Sequence, residues 1–358
     1  MLRVYSPIEN DIYDAHKLVV FLVDEVWFKA KLKQTCKSKL NTELITLCKD
    51  KIKFFKQIVI IYNVCKTLST QDKRDFKVAF HRNNKIKELC EGTLKPIKLN
   101  TLNKSLVKAI KPFFKNLYVQ VLGWKLLEEK YGNKKDYYDK LNIHNSFTSC
   151  PCCGFGDLKT IYDKGRSAFD HYLPQKHYPF SVINFNNLVP ICTTCNSDHK
   201  GEVDVLKFQG KIFYPFADIH PDIKVTIDVD SNALPKLIEL SKDEKDKITK
   251  SEIKVYLTPK MDEVNSWDSM FGISTRYFAK VAANRVSWFN KVTNHFENFR
   301  HRIDDYTIET AFDDIIKNDS DDQLGFLKSP YLASLKKNIY LMKAINEVKG
   351  SSVMSDNN

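Results

Sequence analysis

Over the first part of the chain, apolar residues recur at three- and four-residue steps. The stretch Thr42 to Leu68 places Leu44, Leu47, Phe55, Ile58, Val59 and Tyr62 in this rhythm with lysines between them, which predicts an amphipathic helix. Asp72 to Cys90 and Leu102 to Tyr131 repeat the pattern, with Gly92 and Pro96 breaking the chain between them and Pro112 placed to kink the second. The rhythm stops near Asn145. Residues 145–201 are rich in Cys, Pro, Gly, Asn and His, a loop composition that needs an internal staple. Short β-like runs follow at Val203 to Phe208, Lys211 to Phe216 and Ile223 to Val229, the last alternating apolar and polar positions, and Ile253 to Leu257 is a further candidate strand. Ser241 to Glu252 reads as a charged linker or surface helix. Helical periodicity returns from Asp262 to Arg302, where Trp267, Phe271, Tyr277, Phe278, Val281, Val286, Trp288 and Phe289 supply a broad apolar face. Two shorter helices are expected at Ile308 to Ile316 and Tyr331 to Val348.

This order predicts an α+β chain, mostly helical. A Lys-rich helical region spans 1–146, a central core with short β extensions spans 147–230, a helical region spans 231–349, and a polar, disordered tail spans 350–358. A length of 358 residues suits two or three folding units, and 43% hydrophobic residues is enough for a real core. The net charge of +12 favours polyanionic partners, nucleic acid first. Nearly all of it is lysine, however, and lysines at helical spacing are also what an ordinary solvated helix face carries.

The apolar run Leu18 to Val23 is too short for a secretory signal and is followed by Asp24 and Glu25. No run approaches the roughly 18 to 20 apolar residues of a membrane span. A cytoplasmic protein with no membrane partner is therefore expected, and its nine cysteines should stay reduced. Four of them fall into Cys150-Pro-Cys-Cys153-Gly and Cys192-Thr-Thr-Cys195. Two Cys-x-x-Cys turns supply the four thiolates that structural zinc prefers, with Pro151 and Gly154 suited to the first turn. Cys152 lies inside the first pair and is not expected to ligate. Cys36, Cys48, Cys65 and Cys90 sit on apolar helical stretches and read as core residues.

Between and beside the cysteine pairs lie Phe169-Asp170-His171-Tyr-Leu-Pro174 and Asn186-Asn187-Leu-Val-Pro-Ile-Cys-Thr-Thr-Cys195-Asn196-Ser-Asp-His199-Lys200-Gly201. The combination resembles the zinc-stapled HNH (ββα-metal) endonucleases, over about 50 residues. Taken singly, these motifs are weak: an Asp-His pair is more often a surface feature, and Asn187 could be a simple turn residue. Their joint occurrence between two cysteine pairs carries the resemblance.

The resemblance implies a small zinc-bound ββα nuclease unit between helical flanks. Its first strand would hold Asp170 and His171, its second would lie near Leu188 to Ile191, and its helix would start near Cys195. Zinc on Cys150, Cys153, Cys192 and Cys195 would be structural. Asp170 and Asn196 would ligate a catalytic Mg²⁺ or Mn²⁺, His171 would act as general base, and Asn187 would brace the loop that holds His171. Lys200 is expected to contact a phosphate, and His199 to act as a third metal ligand or a phosphate contact. The implied reaction is phosphodiester hydrolysis leaving 5′-phosphate and 3′-hydroxyl ends. A histidine near its unperturbed pKa can serve as that base, and hard oxygen ligands suit Mg²⁺.

DNA is the favoured substrate, though the sequence does not separate it from RNA, and an RNA-cleaving toxin stays open. No ATP-binding Gly-x-x-x-x-Gly-Lys run and no sequence-reading module is present. Such a bare unit grips backbone without discrimination, so a regulatory partner is expected, with a separate ATPase as the candidate. The layout resembles HNH effector subunits of bacterial anti-phage systems. A reading of a different class is a non-catalytic zinc module that binds nucleic acid or protein, with His171 a structural histidine.

Overall fold

The computed structural model describes residues 1–208, 210–238, 247–338 and 341–342. The expected tail over 350–358, the first half of the charged stretch 241–252 and the end of the last expected helix lie outside the described residues. The chain divides into two compact units, Met1–Pro221 and Asp222–Asn358.

The first unit opens with α1 (Ala15–Phe21), which runs on as a wider turn through Trp27. The long helical pattern from Thr42 resolves into α2 (Thr42–Lys49) and α3 (Ile52–Thr67), interrupted at Asp50 and Lys51, which leave the α2 register. Next come α4 (Thr70–Asn83) and α5 (Ile86–Cys90). The Ser69 hydroxyl accepts from the Asp72 amide and the Asp72 carboxylate accepts from the Ser69 amide, a reciprocal cap that fixes the start of α4. α6 (Lys104–Val119) carries Pro112 internally, and α7 (Lys125–Tyr131) and α8 (Lys134–Asn145) follow, the last begun by an Asn133 cap.

Two three-residue strands, β1 (Phe169–His171) and β2 (Leu188–Pro190), pair antiparallel with Phe169 opposite Pro190, Asp170 opposite Val189 and His171 opposite Leu188. A seven-residue π-helical turn, Thr194–Lys200, closes the segment, with the Gly201 amide donating to the Asn196 carbonyl. The helices and the Cys-rich segment belong to one unit, because the segment forms part of the helices' core. Phe180 is fully buried with ring centroids 5.8 Å from Phe76, 5.8 Å from Phe80 and 5.3 Å from Phe114. Edge-to-face and tilted pairs of this kind each add about 0.5–1.5 kcal/mol beyond area burial.

The expected strands at Val203 to Phe208 and Lys211 to Phe216 are not strands. The Asp204 carboxylate takes the Leu206 amide and the Tyr178 hydroxyl, which folds the first run into a tight turn. In the second, the Ile212 amide donates to the Cys90 carbonyl and Phe216 forms an isolated parallel bridge with Tyr5.

The second unit is built on the hairpin of β3 (Lys224–Val229) and β4 (Ile253–Thr258), antiparallel from Lys224 opposite Thr258 to Val229 opposite Ile253. The short α9 (Leu234–Ile238) lies between these strands in sequence. α10 (Asp262–Phe271) and the 27-residue α11 (Ile273–Phe299) are separated by Gly272, whose φ of 60° is the left-handed conformation that glycine adopts without strain. α12 (Ile308–Asn318) and α13 (Gly325–Lys336) complete it. Its core holds Trp267, Tyr277, Trp288 and Tyr331. The buried Lys328 ammonium is satisfied by Asp319 at 2.8 Å and Asp322 at 2.7 Å.

Replacing Phe180 with Ala should lower the stability of the first unit by about 3–5 kcal/mol, the range for emptying a buried aromatic site. Urea unfolding followed by fluorescence measures it, and a loss well under 1 kcal/mol would mean that the ring is not part of the core.

Candidate metal centre and adjoining polar site

Cys150, Cys153, Cys192 and Cys195 are buried, and their sulfurs all lie within 4.8 Å of one another. The Cys150–Cys195 and Cys153–Cys192 sulfur pairs are 3.9 Å apart. A tetrahedron with Zn–S bonds of about 2.3 Å has S–S edges of about 3.8 Å, so the cluster has the size to hold a zinc ion. Backbone amides support the sulfurs: Gly156 donates to Cys153 at 3.3 Å, Cys192 to Cys150 at 3.3 Å and Cys195 to Cys192 at 3.4 Å. The turn holds because the Gly154 amide donates to the Cys150 carbonyl with φ near 82°, and the Cys150 amide donates to the Gly156 carbonyl. Gly156 is also required by space, since a Cβ there would stand 2.3 Å from the Cys192 sulfur. Its role is invisible in the motif, which draws attention to Gly154. Cys36, Cys65, Cys90 and Cys152 are buried thiols, and Cys48 is half-buried.

This cluster fixes β2 and the closing turn against the first cysteine turn, and the polar site lies on that frame. Asp170, in the middle of β1, is 2% exposed. Its Oδ1 accepts from the Lys200 ammonium at 2.8 Å, while Oδ2 is buried without a hydrogen-bond partner. Burial raises the Asp170 carboxyl above the ordinary range, and the Lys200 charge opposes that rise. Lys200 is the residue expected to contact a phosphate. It is instead buried at 1% exposure, with its ammonium bonded to Asp170 and, at 2.8 Å, to the His171 carbonyl. An ammonium cannot be buried without acceptors, and those two supply them.

His171 ends β1 half-buried. Its Nε2 lies 3.1 Å from the Val182 carbonyl, and its ring stands edge-on to Tyr118 of α6 at a centroid distance of 4.5 Å. A carbonyl only accepts, so the Val182 contact puts the proton on Nε2 and leaves the Nδ1 lone pair open. Burial brings the imidazole down to about 4; the Val182 bond works against this, and the Lys200 charge adds to it. The ring is therefore neutral at pH 7. Asn187 is fully buried and every polar atom of its side chain is bonded. Its Oδ1 accepts from the Leu173 amide at 2.7 Å, and its Nδ2 donates to the Leu173 carbonyl at 3.1 Å and to the Ser181 hydroxyl at 3.1 Å. These bonds tie the two ends of the loop between β1 and β2.

Asn196 is half-buried on the closing turn, its amide donating to the Cys192 carbonyl. Among the described residues no hydrogen bond joins it to Asp170. His199, also half-buried, lies on the same turn next to Lys200. Tyr118, Val182 and Ser181 touch the site residues and were not singled out by the sequence. Tyr118 comes from a helix more than fifty positions upstream, where no local spacing marks it.

No family model matches the chain, and no solved structure matches it. It is similar to a curated protein, "Protein ea31" of Escherichia phage lambda, at 37% identity over 94 residues. That match covers 26% of this chain and 28% of the phage protein, so the chain matches about a quarter of that relative's length. No helix of the described residues is long and apolar enough to cross a membrane.

The purified chain should carry stoichiometric zinc. Stripping it with a strong chelator, or replacing Cys150 and Cys192 with Ser, should speed amide exchange across residues 150–201 while the unit from Asp222 keeps its protection. Metal analysis paired with hydrogen exchange reads this, and unchanged protection in the stripped protein would show that the cluster does not hold the segment.

Proposed function

We propose that the chain is a metal-dependent endonuclease of the HNH type that hydrolyses phosphodiester bonds, with DNA as its substrate. The observation that carries the reading is the pairing, on one strand, of a buried carboxylate with an unbonded oxygen and an imidazole whose Nε2 is tethered to a backbone carbonyl. A lone buried carboxylate oxygen is costly unless something meets it, and a hard divalent cation is the partner its chemistry fits. Asp170 Oδ2 and the Asn196 amide oxygen are the donors that would hold Mg²⁺ or Mn²⁺. When bound, such an ion supplies positive charge against the attacked phosphate and the departing oxygen.

The remaining work falls to the chain's own groups. His171 Nδ1 takes a proton from the attacking water as its oxygen bonds to phosphorus. The bond from phosphorus to the 3′ oxygen breaks, and that oxygen takes a proton from solvent, leaving 5′-phosphate and 3′-hydroxyl ends. The Val182 carbonyl holds the tautomer that this requires, and Asn187 holds the loop that carries Val182. The buried Lys200 sets the position of Asp170 and the strand end and does not reach for substrate. Nothing in the site reads base edges, so control by a protein partner fits a nuclease of this kind.

One observation favours the second reading, a zinc module without catalysis: the Lys200 ammonium already pairs with Asp170. A single assay decides between them. Supercoiled plasmid incubated with Mg²⁺ or Mn²⁺ should be nicked by the native chain, and His171→Ala should slow nicking by at least about 100-fold, the lower range for losing a general base. Asp170→Ala is the poorer test, because it strands a buried ammonium at a cost of about 3–5 kcal/mol. Undiminished nicking by His171→Ala would remove the proposed base. No nicking by the native chain with either cation would leave the zinc module, or a nuclease that lacks its activating partner.

A further inference from the structure

Resting on the nuclease reading of the same site, we propose that Arg166 and Lys134, arranged around Tyr118, form a cradle for a backbone phosphate of the nucleic-acid strand beside His171. Tyr118 is the hinge of the arrangement. Its ring meets the His171 imidazole on one side at 4.5 Å. The Lys134 ammonium lies 4.9 Å from the same ring's centroid and donates to the Tyr118 carbonyl at 3.3 Å. Arg166 stands against the Tyr118 side chain; burial raises the phenol's pKa, and the guanidinium holds that rise in check. The guanidinium also covers the Phe169 ring at 4.6 Å and donates to the Ser167 carbonyl at 2.8 Å, which fixes it against the first residue of β1.

All of Tyr118, Lys134, Arg166 and His171 are half-buried. Among the described residues, neither Arg166 nor Lys134 pairs with a carboxylate, in contrast to neighbouring Lys135, which is held by Asp139. Burial, and after it the Arg166 charge, bring the Lys134 ammonium below the ordinary lysine range. Glu128 acts on Lys134 in the opposite sense but more weakly than Arg166 and forms no ion pair with it, so the two cations still repel one another and an anion between them would relieve that repulsion. An ordinary solvated lysine face does not look like this, because its ammoniums reach outward into water. Here both cations are pinned to aromatic faces and backbone carbonyls.

The chemistry of the pair suits a phosphate: a planar fork from Arg166 and a point charge from Lys134. Its position beside the imidazole makes the phosphate one of the strand being cut. The cradle is contributed jointly by α6, α8 and the loop before β1, so the Lys-rich helices take part in substrate binding through two specific residues.

The test separates this inference from the catalytic one by measuring binding alone. A short fluorescein-labelled DNA duplex is titrated with the native chain in buffer lacking divalent cations, over about 50 to 200 mM KCl, and anisotropy gives the salt dependence of affinity. Arg166→Gln and Lys134→Gln should each weaken binding and lower the slope of log K against log salt by about 1. Arg166→Lys should keep the slope while losing part of the affinity. Thermal melting confirms that each variant is folded; should Arg166→Gln melt early, Arg166→Lys and Lys134→Gln carry the comparison. An unchanged slope in folded Lys134→Gln and Arg166→Gln, or no binding by the native chain, overturns the cradle. Binding that depends on Arg166 and Lys134 in a chain that nicks nothing would support the cradle while the nuclease reading falls.

Discussion

Four sulfurs brought within 4.8 Å of one another are the constraint on which the site depends. Thiolates at that spacing repel, and a buried set of them needs a cation to stay together. The two turns that carry them are separated in sequence by the whole loop that contains Asp170, His171 and Asn187. Closing the cluster therefore closes that loop, sets β2 beside β1 and delivers the turn bearing Lys200 under Asp170. Two strands of three residues each could not hold this register alone, since so short a ladder is marginal in water.

A second layer of restraint comes from the helices. Phe180 plugs the loop into the aromatic core of α4 and α6, and Tyr5 donates from its hydroxyl to the Pro190 carbonyl at 2.9 Å. The imidazole of His171 is thus held by three independent pieces of chain: its own strand, the Val182 carbonyl and the face of Tyr118. Loss of any one would leave the other two.

The sequence made one part of this plain and left another hidden, for a physical reason. Paired cysteines have a local signature because a turn binding one ion needs a fixed spacing, whereas the strands at Asp170 and Leu188 come only through the resemblance that the motifs carry together. Helical segments were legible by periodicity, but the break at Asp50 and Lys51 was not, because the apolar rhythm continues across it. The fate of Lys200 was also hidden. A lysine after a cysteine turn reads as a surface cation, and only the closed loop shows that the nearest acceptors are Asp170 and a strand carbonyl. Gly156, Tyr118 and Arg166 likewise matter through neighbours distant in sequence, and no spacing rule reaches them.

The contact between Asn84 and Asn184 has a consequence for how far the motif can be treated as a part. The Asn184 amide donates to the Asn84 carbonyl and to its side-chain oxygen, both at 3.1 Å, and the Asn84 amide donates to the Phe180 carbonyl at 3.2 Å. These three bonds clasp the far end of the Val182 loop to the C-terminal end of α4. The fifty-residue stretch that carries the recognisable letters is accordingly not a portable cassette. Excised from its helices, it would keep its sulfurs but lose the wall that aims its imidazole.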